Sequence, residues 1–471
     1  MIAANPGRSI TPELQGMTTH RLPPDRHEPS PLKTLHVAAG CVCALGLGID
    51  LIEVSQGSAL AVVFSAPPYS LNSTHLSWLL AAVYVGAVFG AQVAGRIADR
   101  IGIKRTLAAT SLFLAVTSML SAVFADPSWF GLFRMLSGLS LGAYPPLMVA
   151  YLTAIVPTIY RGLIIFWVCA VAYLAPPFGI FLVRWASHAQ PLGIEGWRWP
   201  FLAAGAIAIG VCLSFARLPE PPQWLVQARQ FARAERARRA FDRSRRLVLL
   251  DRWLATGKVG RGGSQRSENV IESMTRLRIA SRLRFTVAVY FLHPWATTTF
   301  PLLTGPILLQ RGHNLDDTLL YVAIATFGPA LGTFASAFLV DRVTRHVSLS
   351  LMAGLMMLAL GLFFASDDRA LLAVSVVAYS LAVAIYTPLM TMYGAELFPI
   401  KERPLATGLA WSGNRLAALL VPIIVLPLLK DYGAQVVGVV AAVALVVSIC
   451  VVTLFRPTGA AEFGFIGTHD C

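Results

Sequence analysis

The chain is short of charge. Of its 471 residues only 13% are Asp, Glu, Lys or Arg, against about a quarter in soluble domains. Acids are the scarcer sign, with 24 Asp and Glu against 38 Lys and Arg. That poverty excludes an ordinary soluble enzyme or binding domain. Cysteine is also sparse: Cys41, Cys43, Cys169, Cys212 and Cys450 sit in apolar runs, and Cys471 is the last residue. No pair has metal-ligand or redox spacing, so the cysteines read as packing residues, and no metal or cofactor is expected. No nucleophile–base spacing points to an enzyme. Residues 1–34 lack the apolar core of a cleavable signal and are rich in Pro, Arg and His, which reads as a disordered tail.

What the chain has in abundance is apolar length. Hydrophobic residues make up 56% of it, mean hydropathy is +0.65, and windows of about 18 apolar residues recur from end to end. With no water in a bilayer core, each must be a helix that satisfies its own backbone. The expected fold is an all-α membrane protein of twelve transmembrane helices in two six-helix bundles. Helices fall near 35–63, 76–98, 105–125, 128–155, 162–185 and 199–217, then 285–310, 318–341, 347–365, 370–394, 405–429 and 434–455. The divisions are a tail at 1–34, a bundle at 35–217, a basic linker at 218–284, a bundle at 285–455 and a tail at 456–471.

The positive charge has a place. Between Arg217 and Arg284 lie 17 Lys/Arg and 6 Asp/Glu, while the connections near 64–75 and 126–128 hold no Lys or Arg. That alternation is a membrane-topology signature rather than a nucleic-acid face, and an even helix count puts both termini on the cytoplasmic side. Arginine dominates, since only Lys33, Lys104, Lys258, Lys401 and Lys430 are lysine, a weak pointer to a GC-rich bacterial genome and an inner membrane. Within the linker, 229–253 alternates Arg with apolar residues as an amphipathic helix on anionic lipid would, and 257–268 reads as a flexible linker.

An offset of 242 residues lays one half on the other. It places Asp99-Arg100 on Asp341-Arg342, Pro146-Leu147-Met148 on Pro388-Leu389-Met390, Tyr151 on Tyr393, Pro157 on Pro399 and Arg161 on Arg403. One constant offset across all of these marks two related halves.

The stretch Gly95–Arg105, GRIADRIGIKR, is a charged, glycine-punctuated turn between two apolar runs. Gly95 and Gly102 permit close approach and a sharp reversal. The stretch resembles the signature loop between helices 2 and 3 of the major facilitator superfamily, and the resemblance covers essentially all of 35–455. The second-half echo keeps Asp341 and Arg342 but has Ala337 and Thr344 for the glycines. Arg134-x3-Gly138-x3-Gly142 looks like that superfamily's helix 4 motif. Arg198-Trp199-Pro200-Phe201, Pro219-Glu220-Pro221-Pro222-Gln223-Trp224-Leu225 and Glu396-Leu397-Phe398-Pro399-x3-Arg403 look like the branch of sugar porters and organic-acid symporters. Ala154 stands where sugar porters carry Glu, and 285–310 lacks their Gln-Leu-Ser run. Asp50-Leu51-Ile52-Glu53 and Gly413-Asn414-Arg415 are similar to helix 1 and helix 11 segments of aromatic-acid proton symporters. The resemblance implies a gating set of Gly95, Asp99, Arg100, Gly102, Arg105, Asp341, Arg342, Arg161, Glu396 and Arg403.

The chemistry is expected at buried charges. Asp50 lies near mid-span in helix 1, and Glu53 at i+3 shares its face. An acid at that depth is functional by default, so Asp50, Glu53 and Arg134 form the expected proton-coupling set, with Arg134 as the partner of Asp50. Arg415 has no acid at comparable depth in helices 7 to 12, which leaves a substrate carboxylate as its expected partner. Asn414, Tyr144, His293, Trp295, Tyr386 and Tyr393 complete the candidate lining. Pro-Pro pairs at 145–146 and 176–177 suit helix bends. The expected function is proton-coupled uptake of a small organic anion by a monomer in the bilayer, without nucleic acid. The rivals are a sugar or polyol symporter, a drug exporter, and a membrane sensor that moves nothing.

Overall fold

A computed structural model of the protein describes residues 31–124, 126–157, 160–247, 276–339, 345–398 and 403–454. The first bundle comprises α1 (Thr34–Ser65), α2 (Ser73–Ile101), α3 (Ile103–Val123), α4 (Pro127–Ile155), α5 (Arg161–Ala172), α6 (Ala175–Ala189) and α7 (Trp199–Arg217). Two short helices follow, α8 (Pro222–Gln227) and α9 (Phe231–Arg243). The second bundle comprises α10 (Arg276–Thr297), α11 (Thr299–Gln310), α12 (Leu315–Ala325), α13 (Phe327–Leu339), α14 (Arg345–Ala365), α15 (Arg369–Glu396), α16 (Arg403–Tyr432) and α17 (Gln435–Leu454). Among the described residues eleven helical segments are long and apolar enough to cross a membrane, with α5–α6 and α12–α13 each acting as one. The split segment α10–α11 is the remaining one of the twelve expected.

Local chemistry explains the ends. Four of the helices that start at the end opposite the basic loops carry Asn or Asp caps. Asn72 accepts from the His75 amide at 2.8 Å, Asp126 from Ser128 at 2.9 Å, Asn314 from Asp317 at 2.7 Å and Asp368 from Ala370 at 3.0 Å. Each oxygen satisfies an amide that the first helical turn leaves unpaired. At the basic end Gly102 adopts φ 105°, ends α2 and starts α3 in one residue. Large apolar side chains such as Phe89, Phe178, Leu213 and Val374 are exposed on the outer surface. That inversion of the soluble pattern suits lipid.

Four expectations change. The Pro145-Pro146 pair lies inside an unbroken α4, whereas Pro176-Pro177 stands just after a break at Tyr173–Leu174, which divides its span into α5 and α6. Helix 7 extends back to Arg276 rather than starting near 285, and it breaks at Thr298, four residues after Pro294. The arginine-rich helix α9 does not turn its apolar face to lipid: Ala234, Ala237 and Phe241 are buried against protein, and His36 stacks on Phe241 at 5.1 Å. Lys33 reaches Asp242 at 2.8 Å and pairs by backbone with Arg246, so α9 is strapped to the start of α1. Gly95 meets nothing a Cβ would touch, so no close approach needs it. Close approach occurs at Gly86, Gly90, Gly138 and Gly142, where α2 and α4 cross and a Cβ would strike backbone carbonyls. The expected linker at 257–268 and the tail at 456–471 lie outside the described residues.

The bundles meet most tightly at the end opposite the basic loops. Ala59 to Phe64 of α1 share one core with Leu302, Leu303 and Ile307 of α11. Gly57 lets Leu302 approach to 3.2 Å from where its Cβ would stand. Arg184 of α6 forms a bidentate pair with Asp316 of α12, both bonds 2.7 Å, and His188 adds a 3.5 Å contact. Among the described residues this is the ion pair that joins the bundles, so that end is latched.

Candidate functional site

Midway through the fold, Glu53 and Arg134 are 0% and 1% exposed. Arg134 Nη1 donates to Glu53 Oε2 at 2.6 Å, and Nη2 donates to the Glu53 carbonyl at 3.1 Å. Ser118 of α3 bonds the other carboxylate oxygen and reaches the Phe201 carbonyl at 2.9 Å. The Phe201 ring lies under the guanidinium at 5.5 Å. A charge this deep is tolerable only when paired and hydrogen-bonded, and here four helices supply the partners. The expected partner of Arg134 was Asp50; the structure gives it Glu53 instead. One helical turn of rise separates the two acids, and the turn nearer the latched end is the one level with Arg134.

Asp50 is 2% exposed, and neither carboxylate oxygen has a hydrogen-bond partner among the described residues. The charges that act on it are Glu53, on its own helix, and Arg415, from α16 of the other bundle. Arg415 is half-buried, its guanidinium lying 5.7 Å over the Trp411 ring, with no hydrogen bond or ion pair among the described residues. Its neighbour Asn414 donates to the Tyr290 carbonyl at 3.1 Å and to His293 Nδ1 at 3.2 Å. His293 Nε2 then meets Thr387 Oγ1 at 2.9 Å, and the ring stacks on Tyr386 at 5.8 Å. An amide that donates to Nδ1 fixes the neutral tautomer with its proton on Nε2. Thus Asn414, His293 and Tyr386 form one polar patch beside Arg415.

The other expected lining residues make packing contacts. Tyr144 fills the space over Gly46 and donates to the Cys43 carbonyl at 3.4 Å. Trp295 packs near Phe291, and Tyr393 packs edge-on to Phe285 at 6.3 Å. Of the gating set, Gly95, Asp99 and Arg100 are exposed on the last turns of α2, and Asp99 has no partner among the described residues. Arg161 donates to the Val156 carbonyl at 3.1 Å within its own bundle. Asp341 and Arg342, and the side chains of Glu396 and Arg403, lie outside the described residues.

The residue sequence reasoning missed at that end is Glu220. Its carboxylate accepts from the Lys104 and Arg105 amides at 3.2 and 3.3 Å, so it caps α3, and it lies 3.9 Å from the Arg105 side chain. Lys104 also donates to the Leu218 carbonyl at 2.9 Å. Burial raises the Glu220 carboxyl above its ordinary value, while the two amides and the charges of Lys104 and Arg105 pull it down. The Pro-Glu-Pro-Pro motif was the available signal. Likewise Ser118 and Phe201 were missed, although Phe201 belongs to the quoted Arg-Trp-Pro-Phe motif.

Among the described residues the site thus combines a central buried acid–arginine pair, an unpaired charged side chain from each bundle and an ion-pair latch at one end. The family that matches residues 42–462 is described as "Sugar (and other) transporter". The chain belongs to that family. Among relatives of this transporter, a D-xylose transporter of Levilactobacillus brevis is 23% identical over 401 residues, 81% of this chain and 84% of that one. The niacin transporter NiaP of Acinetobacter baylyi is 22% identical over 409 residues, 85% of this chain and 89% of that one. The fold matches the partially occluded inward-open xylose transporter XylE of E. coli with a TM-score of 0.71, at 17% identity over 90% of this chain and 98% of that one. The transporter therefore has the major facilitator fold. Sugar carriers among the relatives support the sugar-porter side of the expected resemblance; the aromatic-acid branch finds no such support.

Proposed function

We propose that the protein is a proton-driven importer of a small polar metabolite, seated in a bacterial plasma membrane with its basic loops in the cytoplasm. The observation that carries this reading is the buried Glu53–Arg134 pair. Protonating Glu53 removes the charge that holds Arg134, so the pair is a two-state element that a proton biases. Exposed Asp99 and Arg100 at the basic end, with the Arg184–Asp316 latch at the other, correspond to a cytoplasm-facing state.

The sugar carriers among its relatives support a sugar or polyol as cargo. One observation favours a second reading, a small organic anion: Arg415 presents an unpaired guanidinium where the bundles meet. Purified protein in proteoliposomes tests the common core of both. With a panel of sugars and organic acids, an inward pH gradient should drive accumulation of at least one solute. Glu53→Gln should lose that accumulation and keep exchange of labelled for unlabelled solute. A Glu53→Gln protein that still concentrates solute up to the wild-type level would rule out this coupling role.

A further inference from the structure

Because α9 turns its apolar face to protein, its cationic face is left over. The strap that holds it to α1 consists of the Lys33–Asp242 ion pair and two backbone bonds. The Thr34 amide donates to the Arg245 carbonyl at 3.0 Å, and the Leu247 amide to the Leu32 carbonyl at 3.1 Å. Between α9 and the ends of α1 and α7 an open groove of about 460 Å³ remains. Leu35 and Ala38 of α1 line it, with Arg217 and Leu218 at the end of α7 and Ala240 and Ser244 of α9. Arg236 and Arg243 lie four residues before and three after Ala240, so they share its stripe of the helix. Arg217 and Arg243 are exposed, with no hydrogen bond or ion pair among the described residues. Arg236 engages only its Nε, on the Ala232 carbonyl at 3.3 Å.

We propose that this groove seats one anionic phospholipid, its phosphate held by Arg217, Arg236 and Arg243 and its acyl chains laid along α1 and α7. The groove stands at the ends of two membrane spans, Thr34–Ser65 and Gly196–Arg217, and therefore at headgroup level. Exposed apolar side chains continue from it toward the hydrocarbon. Cys41 and Leu45 follow Ala38 along α1 at helical spacing, and Leu213 lies one turn before Arg217 on α7. Leu45 and Leu213 are 56% and 58% exposed. The two stripes belong to adjacent helices, since Cys43 of α1 shares one core with Val211 and Phe215 of α7.

Charge selects the headgroup. From Arg229 to Arg246 there are eight arginines and two acids, Glu235 and Asp242. Both acids are already paired, with Arg239 and Lys33. A zwitterionic lipid brings its own cation to a place with no free acid, whereas an anionic headgroup brings none. The forked N–H groups of arginine match phosphate oxygens in pairs. A free phosphate would satisfy the arginines but leave Leu35 and Ala38 uncovered, and acyl chains cover them. The bound lipid ties α9 to α7, as Lys33 ties it to α1.

Native mass spectrometry of the full-length protein in detergent tests this. Phosphatidylglycerol, phosphatidylcholine with the same acyl chains, or glycerol phosphate is added in turn. The wild type should retain one phosphatidylglycerol at concentrations where it retains neither of the others. Each arginine beside an anionic headgroup is worth about fivefold in binding, so Arg217→Gln with Arg243→Gln should weaken phosphatidylglycerol by about 10- to 30-fold. The control removes the same charge at Arg229 and Arg238, both exposed. Arg238 stands two residues before Ala240 and so on the far side of the helix. That control should hold the lipid to within about twofold of wild type. Equal retention of phosphatidylglycerol and phosphatidylcholine by the wild type overturns the proposal. Equal loss in the two double variants also overturns it, since it would mean diffuse attraction to all of α9. Glycerol phosphate held as tightly as the lipid would make the groove a phosphate site and sink the lipid seat. The headgroup comparison is read on the wild type, so a misfolded variant does not remove the test.

Discussion

The two bundles share a frame and differ in what they hold. Shifted by 242 residues, Gly86 and Gly90 of α2 fall on Gly328 and Gly332 of α13. In both places a helix crosses another so closely that a Cβ would meet backbone, Leu139 in one bundle and Leu381 in the other. The facing positions Gly138 and Gly142 become Ser380 and Ala384, still small. The buried charges are not repeated: Glu53, Ser118 and Arg134 fall on Trp295, Leu360 and Val376. Backbone contact repeats because every bundle needs it to pack without a hydrophobic driving force. A buried ion pair does not, since it is expensive. Where Arg415 stands, the first bundle has Tyr173.

The hardest way to break this contrast is at its charged centre. Arg134→Ala leaves Glu53 buried without its cation, and about 3–5 kcal/mol of stability should be lost. The equivalent Val376→Ala removes only methyl groups and should cost about 1–2 kcal/mol. Thermal unfolding in detergent compares the two directly, and equal losses would show that the charged cluster is not what distinguishes the first bundle. At the repeated seam, Gly138→Ala should cost about 1–3 kcal/mol by overpacking. Gly332→Ala should cost less, because a Cβ at Gly138 would stand 2.0 Å from the Val83 carbonyl oxygen while one at Gly332 would stand 2.5 Å from that of Leu381. Folded yield and midpoint temperature of the two variants give the order.

Arg184→Ala opens the latch between bundles. The pair is about one-third exposed, 32% and 35%, so it should contribute only about 0.2–1 kcal/mol. Maleimide labelling of Leu302→Cys should then quicken by about two- to fivefold at most; no change would mean that apolar packing alone closes this end. The smallest effect belongs to Glu220. Its raised folded value means that the folded state binds a proton more readily than the unfolded chain. The stability this adds is fully present below the ordinary value of 4.5 and is lost as pH rises through the raised one. Glu220→Gln should flatten that step in the midpoint-temperature profile above pH 4.5, on the order of a degree or two.

Much of this was legible because lipid imposes simple rules. Apolar length marked the spans, arginine placement marked the basic end, and a single offset exposed the repeat down to Asp99 and Asp341. Glu53, Arg134 and Arg415 could be singled out because ionised groups inside apolar runs are rare. Their pairing was not legible. Asp50 and Glu53 are three residues apart on one helical face, and a small rotation or shift of α1 against α4 decides which meets Arg134. Ser118 gave no sign of its role, because a hydroxyl that also bonds its own helix can sit at any membrane position.

The sequence by itself determined that the chain spans a membrane in two related bundles, since burial of backbone in lipid leaves no other solution for so many long apolar runs. It also determined which rare charges must matter. Only the tertiary structure decided that Glu53 takes Arg134 and that Glu220 reaches back to cap α3. Those outcomes depend on helix rotation and depth of crossing, which small residues such as Gly86 and Gly138 set through contacts distant in sequence.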